Sequence, residues 1–241
     1  MRILCCLLAL TLLPLATPAA APPVVRYSYN KIHDPDGIGK FYMGREIAYV
    51  MGHQAADWLE RPERIKEERT DKLLKALPIK PGMTIVDLGA GSGYFTFPLA
   101  KLVGPQGKVL AVDIQKEMLD LIRTGMKKRK LTNIEPIMGT ISDPKLPEGK
   151  VDLILMVDVY HEFSHPYEMV EAMVRSLKVG GKLVFVEYRL EDPDVPIKLV
   201  HKMTQKQVKR EMSIHALKHA KTLDILPWQH IIIFEKTEAQ R

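Results

Sequence analysis

Cysteine is almost absent, and its placement removes it from consideration. Cys5 and Cys6 are the only two in 241 residues. Both lie at the head of an N-terminal apolar run, so the rest of the chain has no disulfide framework and no thiol nucleophile. Neither suits a lipid-acceptor cysteine, because each precedes the apolar stretch instead of following it. Aromatic residues are few, at 7%, and no basic run is interleaved with them. That excludes the stacking platform of a single-strand nucleic-acid binder. The apolar run Ile3–Leu15 is too short for a comfortable membrane span. There is no internal repeat and no sign of a second domain.

The N-terminus carries a pattern of its own. Arg2, the apolar run and the small residues Ala16-Thr17-Pro18-Ala19-Ala20-Ala21 read as a secretory signal peptide, with cleavage expected after Ala19 or Ala21. The chain is therefore expected to be exported, to the periplasm, with no stable membrane span once the signal is removed. An uncleaved anchor is the alternative. Arg2 is the only charge in residues 1–21, so the formal net charge of +6 becomes +5 (6 − 1) without them. The basic excess is spread out except at Lys127-Lys128-Arg129-Lys130, at the end of a predicted helix. Cations suit the dipole there, so a solvated helix end accounts for the cluster and no nucleic-acid partner is expected.

Three segments follow from the punctuation: 1–21 as signal, 22–62 as an N-terminal extension and helical lid, and 63–238 as the main domain. Residues 22–40 are rich in Pro, Gly, Asp and Tyr and read as an extended lead-in. Residues 41–77 read as mostly helical, with Pro62 opening a helix whose first turn is acidic. Gly44–Arg69 is expected to fold over the site as the lid. Arg45, His53 and Trp58 are placed to touch substrate there, although their spacing suits a packed amphipathic helix better. Strands and helices then alternate: strands at 83–88, 108–113, 134–138, 151–157 and 182–188, helices at 94–103, 116–130 and 166–177. A basic helix at 204–217 precedes a hairpin of 222–226 and 230–236. Repeated βα units imply a parallel sheet with right-handed crossovers.

The most specific motif is Thr84-Ile85-Val86-Asp87-Leu88-Gly89-Ala90-Gly91-Ser92-Gly93-Tyr94-Phe95. A β-branched run ends in an acid, and glycines follow at alternate positions before a helix begins. Glycine lets a ligand approach the backbone where a Cβ would block it. The spacing is G-x-G-x-G. A dinucleotide loop would need glycine at Tyr94, which argues against a nicotinamide oxidoreductase. Asp113 follows Gly93 by 20 residues at the end of the second main-domain strand, where a carboxylate can accept both ribose hydroxyls. A helix N-cap is the structural alternative for it.

This combination resembles class I S-adenosylmethionine (SAM) methyltransferases of the small-molecule type, over roughly Arg64 to Lys236. The resemblance implies a Rossmann-like α/β domain with a seven-stranded, mostly parallel sheet and a C-terminal antiparallel hairpin. It also implies SAM as cofactor, a small-molecule methyl acceptor as partner, and no metal. Asp87, Gly89, Ala90, Gly91, Gly93, Asp113, Ile114 and Asp158 are the expected cofactor contacts. The acid that related enzymes often carry after strand three is missing at Thr140, so Asp143 is the substitute for adenine, with an Asp-Pro turn as its structural alternative. The chain lacks the cysteines that arsenite methyltransferases use.

The substrate side falls to Asp158-Val159-Tyr160-His161-Glu162-Phe163-Ser164-His165, the loop leaving a central strand. His161 is the candidate general base. Tyr160 is a candidate to donate a hydrogen bond or close over the methyl group, and Glu162 to orient the imidazole. Glu187 and Arg189 end the next strand, where large polar groups are costly to bury without a task. Arg189 is placed to fix a substrate carboxylate or to pair with Glu187. Residues 201–203 and 228–230 are placed to close over the pocket. His161-Glu162-Phe163-Ser164-His165 also spells the H-E-x-x-H zinc motif, but Pro166 argues against the continuous helix that motif needs. A non-catalytic binding protein on the same fold is the second functional hypothesis.

Overall fold

The computed structural model describes residues 25–238, so the expected signal segment lies outside the described residues. The order along the chain begins with three short strands, β1 (Tyr27–Tyr29), β2 (Gly37–Tyr42) and β3 (Arg45–Ala48), then α1 (Ala56–Leu59), α2 (Arg64–Glu68) and α3 (Thr70–Ala76). The main domain continues as β4 (Thr84–Leu88), α4 (Thr96–Val103), β5 (Lys108–Asp113), α5 (Lys116–Arg129), β6 (Ile134–Met138), β7 (Val151–Val157), α6 (Pro166–Ser176), β8 (Leu177–Tyr188), α7 (Gln205–Met212), β9 (Leu217–Leu223) and β10 (Gln229–Lys236).

The seven main-domain strands form one sheet in the order β6-β5-β4-β7-β8-β10-β9. Pairings from β6 through β8 are parallel, and β10 runs antiparallel to both β8 and β9. Side chains alternate between faces, as strand geometry demands. Ile85, Leu153, Leu155, Val184 and Ile231 pack on one side with α3, α4 and α5. Val86, Ile154, Met156, Phe185 and Ile232 pack on the other with α6 and α7. Both faces are covered, which is why β7 is apolar apart from Asp152.

Local signals account for the helix ends. Pro166 opens α6 at its first turn, where its missing N–H costs nothing. Thr204 caps α7 by accepting from the Gln207 amide, a contact of the kind that contributes about 1 kcal/mol.

The chain runs from β4 outward through β5 to β6, then returns to β7 on the other side of β4. The crevice at the carboxyl ends of β4 and β7 is the switch point where open α/β sheets bind ligands.

Three expectations need correction. Residues 41–48, expected to be helical, instead complete a three-stranded antiparallel meander with the extended segment before them, so the helical part of the lid begins only at His53. The β2–β3 turn places Met43 at φ 47° and Gly44 at φ 86°, the paired left-handed backbone of a tight hairpin. The basic helix ends at Met212, and Leu217–Leu223 is strand. This is an exposed edge of the sheet, and its Lys218 and Lys221 are the charges that protect such an edge. Finally, β8 starts at Leu177, running through Gly180-Gly181.

Candidate active site

The carboxyl ends of β4, β5 and β7 open into a cavity of about 470 Å³. From β4 comes the glycine loop, with Gly89, Gly91 and Gly93 at φ 72°, 53° and 89°. A Cβ on Gly89 would lie 2.4 Å from Val159 Cγ2, and one on Gly91 would lie 2.6 Å from Leu59 Cδ1. The loop therefore needs glycine both for its backbone and for its neighbours.

Asp113 ends β5 and is buried. Its Oδ2 accepts from the Gly91 amide and its Oδ1 from the Gln115 amide, each at 2.9 Å. The carboxylate thus ties the glycine loop to the β5 end while lining the cavity. Burial raises its pKa, and the backbone amides oppose that rise. Asp87, on β4 opposite Ala111 of β5, accepts from Thr96 Oγ1 at 2.5 Å and anchors the start of α4. Burial pushes it up to about 6.

β7 runs into Asp158, whose φ of 52° is a left-handed conformation that Asp tolerates better than most non-glycine residues. Its Oδ2 accepts from Gln229 Nε2 at 2.7 Å, and its buried Oδ1 has no protein partner. Burial, then the nearby Glu68 and Glu187, hold its pKa well above the carboxylate range. Glu68, on α2, is itself held by Arg61 and Arg64 and by the Tyr188 hydroxyl.

Tyr160–Glu162 is a single 3-10 turn. It carries His161 to the cavity wall, where His161 Nδ1 lies 2.7 Å from Glu187 Oε2. The other oxygen of Glu187 accepts from the Tyr160 amide at 3.0 Å. On its far side, His161 Nε2 lies 3.2 Å from Nδ1 of His201, which also lines the cavity. Burial acts to lower the pKa of His161, but Glu187 outweighs it and the net shift is upward. Burial and the His161 charge push His201 down to about 4. Burial takes Glu162 up to about 7.

The lid reaches the cavity through Met51, Trp58 and Leu59. It is pinned from both sides. Met51 N–H donates to Glu162 Oε1 at 3.1 Å, while Gln115 Nε2 donates to the Met51 carbonyl at 2.9 Å.

A family model described as a methyltransferase domain matches residues 79–238, which contain the glycine loop, Asp113 and the His161 turn. The chain belongs to the methyltransferase domain family. Demethylmenaquinone methyltransferase of Lactococcus lactis is 29% identical over 126 residues, 52% of this chain and 49% of that protein. Ubiquinone/menaquinone biosynthesis C-methyltransferase UbiE of Shewanella sediminis is 28% identical over 121 residues, 50% of this chain and 48% of that protein. The chain thus spans about half the length of the curated relatives it matches. The crystal structure of a SAM-dependent methyltransferase from Aquifex aeolicus superposes with a TM-score of 0.72 at 25% identity, covering 77% of this chain and 98% of that one.

S-adenosyl-L-methionine is the cofactor of this methyltransferase domain. The residues present fit it. Asp113 faces the cavity with a carboxylate suited to a ribose diol, and Gly89 leaves its backbone exposed at the cavity wall. The unpartnered Asp158 Oδ1 is a free acceptor, and a cationic ligand beside it would favour the ionised carboxylate against the burial that otherwise keeps the proton on.

The expected residues divide accordingly. Gly89, Gly91, Asp113, Ile114, Asp158, His161 and Glu162 line the cavity. Ala90 and Gly93 shape the loop from behind, where Gly93 leaves room for Phe97 and Ile122. Asp143 does not face the cavity. Lys145 takes both its oxygens, through Nζ and the backbone amide, while Thr140, Ile141 and Pro144 line the wall instead. Tyr160 does not close over a methyl group: it is fully buried, and its hydroxyl donates to Glu211 Oε2 at 2.6 Å. Glu187, not Glu162, orients the His161 imidazole. Arg189 neither pairs with Glu187 nor reaches the cavity. Its guanidinium donates to the carbonyls of Leu226 and Pro227 and caps the β9–β10 turn. Arg45 is spent on Glu211 and the His161 carbonyl, while Trp58 does reach the wall. His53 engages the site only through its amide, which donates to Gln115 Oε1.

His165 turns away from the cavity and sits 3.0 Å from Ser164 Oγ at the start of α6, so the H-E-x-x-H letters do not form a helical pair. Arg64, Glu68, Gln115 and His201 complete the site, and none carries a local motif. Only their position at the ends of neighbouring elements brings them in.

Proposed function

We propose that this chain is an exported methyltransferase that moves the methyl group of SAM to a small molecule held in the cavity beside His161. The observation that carries the reading is the joining of two unlike ends in one cavity. The glycine loop and Asp113 stand at one end, and the His161–His201 pair, backed by Glu187, stands at the other.

Bound SAM supplies an electrophilic methyl group on a sulfonium sulfur. Asp113 is positioned to accept from the ribose hydroxyls while keeping the loop in register. Asp158, whose proton burial and the nearby acids favour, would ionise as the cofactor's positive charge arrives beside it. Leu88, Val112, Ile141, Phe163 and Met169 line the walls and exclude water, so the acceptor competes with little solvent. At the acceptor end, Glu187 holds His161 Nδ1–H, and Nε2, which contacts His201 Nδ1 at the cavity wall, exchanges that contact for the proton of a bound hydroxyl, amine or thiol. Positioning and this proton transfer are the protein's main contributions to an in-line displacement.

The test is a screen of oxygen, nitrogen, sulfur and carbon acceptors for S-adenosylhomocysteine release, followed by His161→Ala. Turnover should fall about 10²–10⁴-fold with SAM affinity nearly unchanged. Full turnover in the variant would remove His161 from the chemistry. Export is supported by Arg2, the Ile3–Leu15 run and the small residues that follow.

A further inference from the structure

We propose that His161, Glu162 and His201 form a binding site for one divalent transition-metal ion of the zinc type, with Glu187 as the carboxylate that orients its first ligand.

Three independent features meet at one point. The first is distance. His161 Nε2 and His201 Nδ1 are 3.2 Å apart, with their rings inclined at 83°. Two imidazole nitrogens bound at about 2.0–2.1 Å to a tetrahedral zinc ion lie about 3.3 Å from one another. Glu162 adds a carboxylate oxygen, and one ligand atom from each of the three lies within 4.8 Å of the others. The second is orientation. A ligating histidine ordinarily donates its remaining ring N–H to a carboxylate, which fixes the tautomer. Glu187 Oε2, fully buried and 2.7 Å from His161 Nδ1, is that carboxylate. Glu162 is steadied in the same way, since the Met51 amide holds its Oε1. The third is access. All three residues line the cavity, so a fourth position opens toward any molecule bound there. Two nitrogens, one carboxylate and an open position make a reactive metal site and not a closed structural one.

The second histidine is not the one the letters suggest. His165 completes H-E-x-x-H in sequence but bonds Ser164, whereas His201 arrives from a separate 3-10 turn, Leu199–His201. With a metal bound, His161 Nε2 is a ligand and no longer a proton acceptor, and the open position can take an oxygen, nitrogen or sulfur donor on the acceptor. The metal site itself does not depend on the methyl-transfer reading.

The experiment uses the full chain with Cys5→Ser and Cys6→Ser, which removes unrelated thiol ligands. The chelator-stripped protein is titrated with Co²⁺, followed by its visible absorption, and with Zn²⁺ by calorimetry. One ion per chain is expected, with an absorption intensity typical of four- or five-coordinate cobalt. His201→Ala and Glu162→Gln should each weaken binding at least 100-fold, Glu187→Gln about 10–100-fold, and His165→Ala not at all. Circular dichroism and SAM calorimetry on each variant separate lost ligands from lost fold. Absence of stoichiometric binding, or equal binding by wild type and His201→Ala, would overturn the metal site. SAM binding retained in that case would leave the methyltransferase reading standing.

Discussion

Replacing Gly89 by alanine tests the cofactor loop at its tightest point. Gly89 has φ 72°, a left-handed conformation that costs an L-residue about 1–2 kcal/mol. The new Cβ would lie 2.4 Å from Val159 Cγ2 and 3.0 Å from Val159 Cβ. Overpacking of that kind adds about 1–3 kcal/mol, for a total of about 2–5 kcal/mol. Because the neighbouring atoms belong to one side chain, part of the cost should be recoverable. Val159→Ala in the same chain removes the two γ-methyl groups but not the backbone strain, so about 1–2 kcal/mol should return. Val159 also lines the cavity, so its displacement should weaken cofactor binding as well. Urea unfolding gives the stability of the four members of the cycle, and calorimetry with S-adenosylhomocysteine gives the affinity. Wild-type stability and affinity in Gly89→Ala would refute the loop conformation and its packing against β7.

Two further outcomes follow from the same physical arguments. Asp87 has a folded-state pKa of about 6 against an ordinary value of 3.8, because burial penalises its charge. The protonated form is thus favoured by folding, its contribution is complete below about pH 4, and up to about 3 kcal/mol is lost as pH rises through 6. Stability of Asp87→Asn, followed by urea unfolding from pH 4 to 7, should lack that decline, and an unchanged decline would assign it to other groups. For export, mass spectrometry of protein recovered from the periplasm should find a chain beginning at Ala20 or Pro22, and a chain retained in the cytoplasm with its first 21 residues would contradict the signal reading.

The parts legible in the sequence were those with local patterns. The β4–loop–α4 unit and Asp113 are set by adjacent residues and by a fixed spacing between neighbouring strand ends. The apolar β7 strand announced its place in the middle of the sheet. His161 was found because loops at carboxyl ends of parallel strands face the crevice. What the sequence did not show depends on register and topology. Glu162 was the expected orienter of His161, but the Met51 amide holds its Oε1 instead. The partner is Glu187, because the β7–β8 ladder sets Val157 beside Val186 and so brings the residues just beyond them together. His201 was expected at the pocket edge, but its pairing with His161, 40 residues away, had no motif to mark it. Asp143 was lost to Lys145, two residues on, and Tyr160 to Glu211, 51 residues on. The end of the N-terminal meander, residues 41–48, was misread as helix because its decisive feature is a two-residue turn at Met43-Gly44, a weak signal beside the helix-forming residues that follow.

The central claim is that the glycine loop and Asp113 form a SAM site. The most direct test is calorimetric titration of the folded protein with SAM and S-adenosylhomocysteine, beside Asp113→Ala. Two charge-assisted hydrogen bonds to the ribose, each contributing about 1.5–3 kcal/mol, predict that one-to-one binding falls at least 100-fold in the variant. A folded wild-type protein that binds neither ligand, or an Asp113→Ala variant that binds both as tightly as wild type, would contradict it.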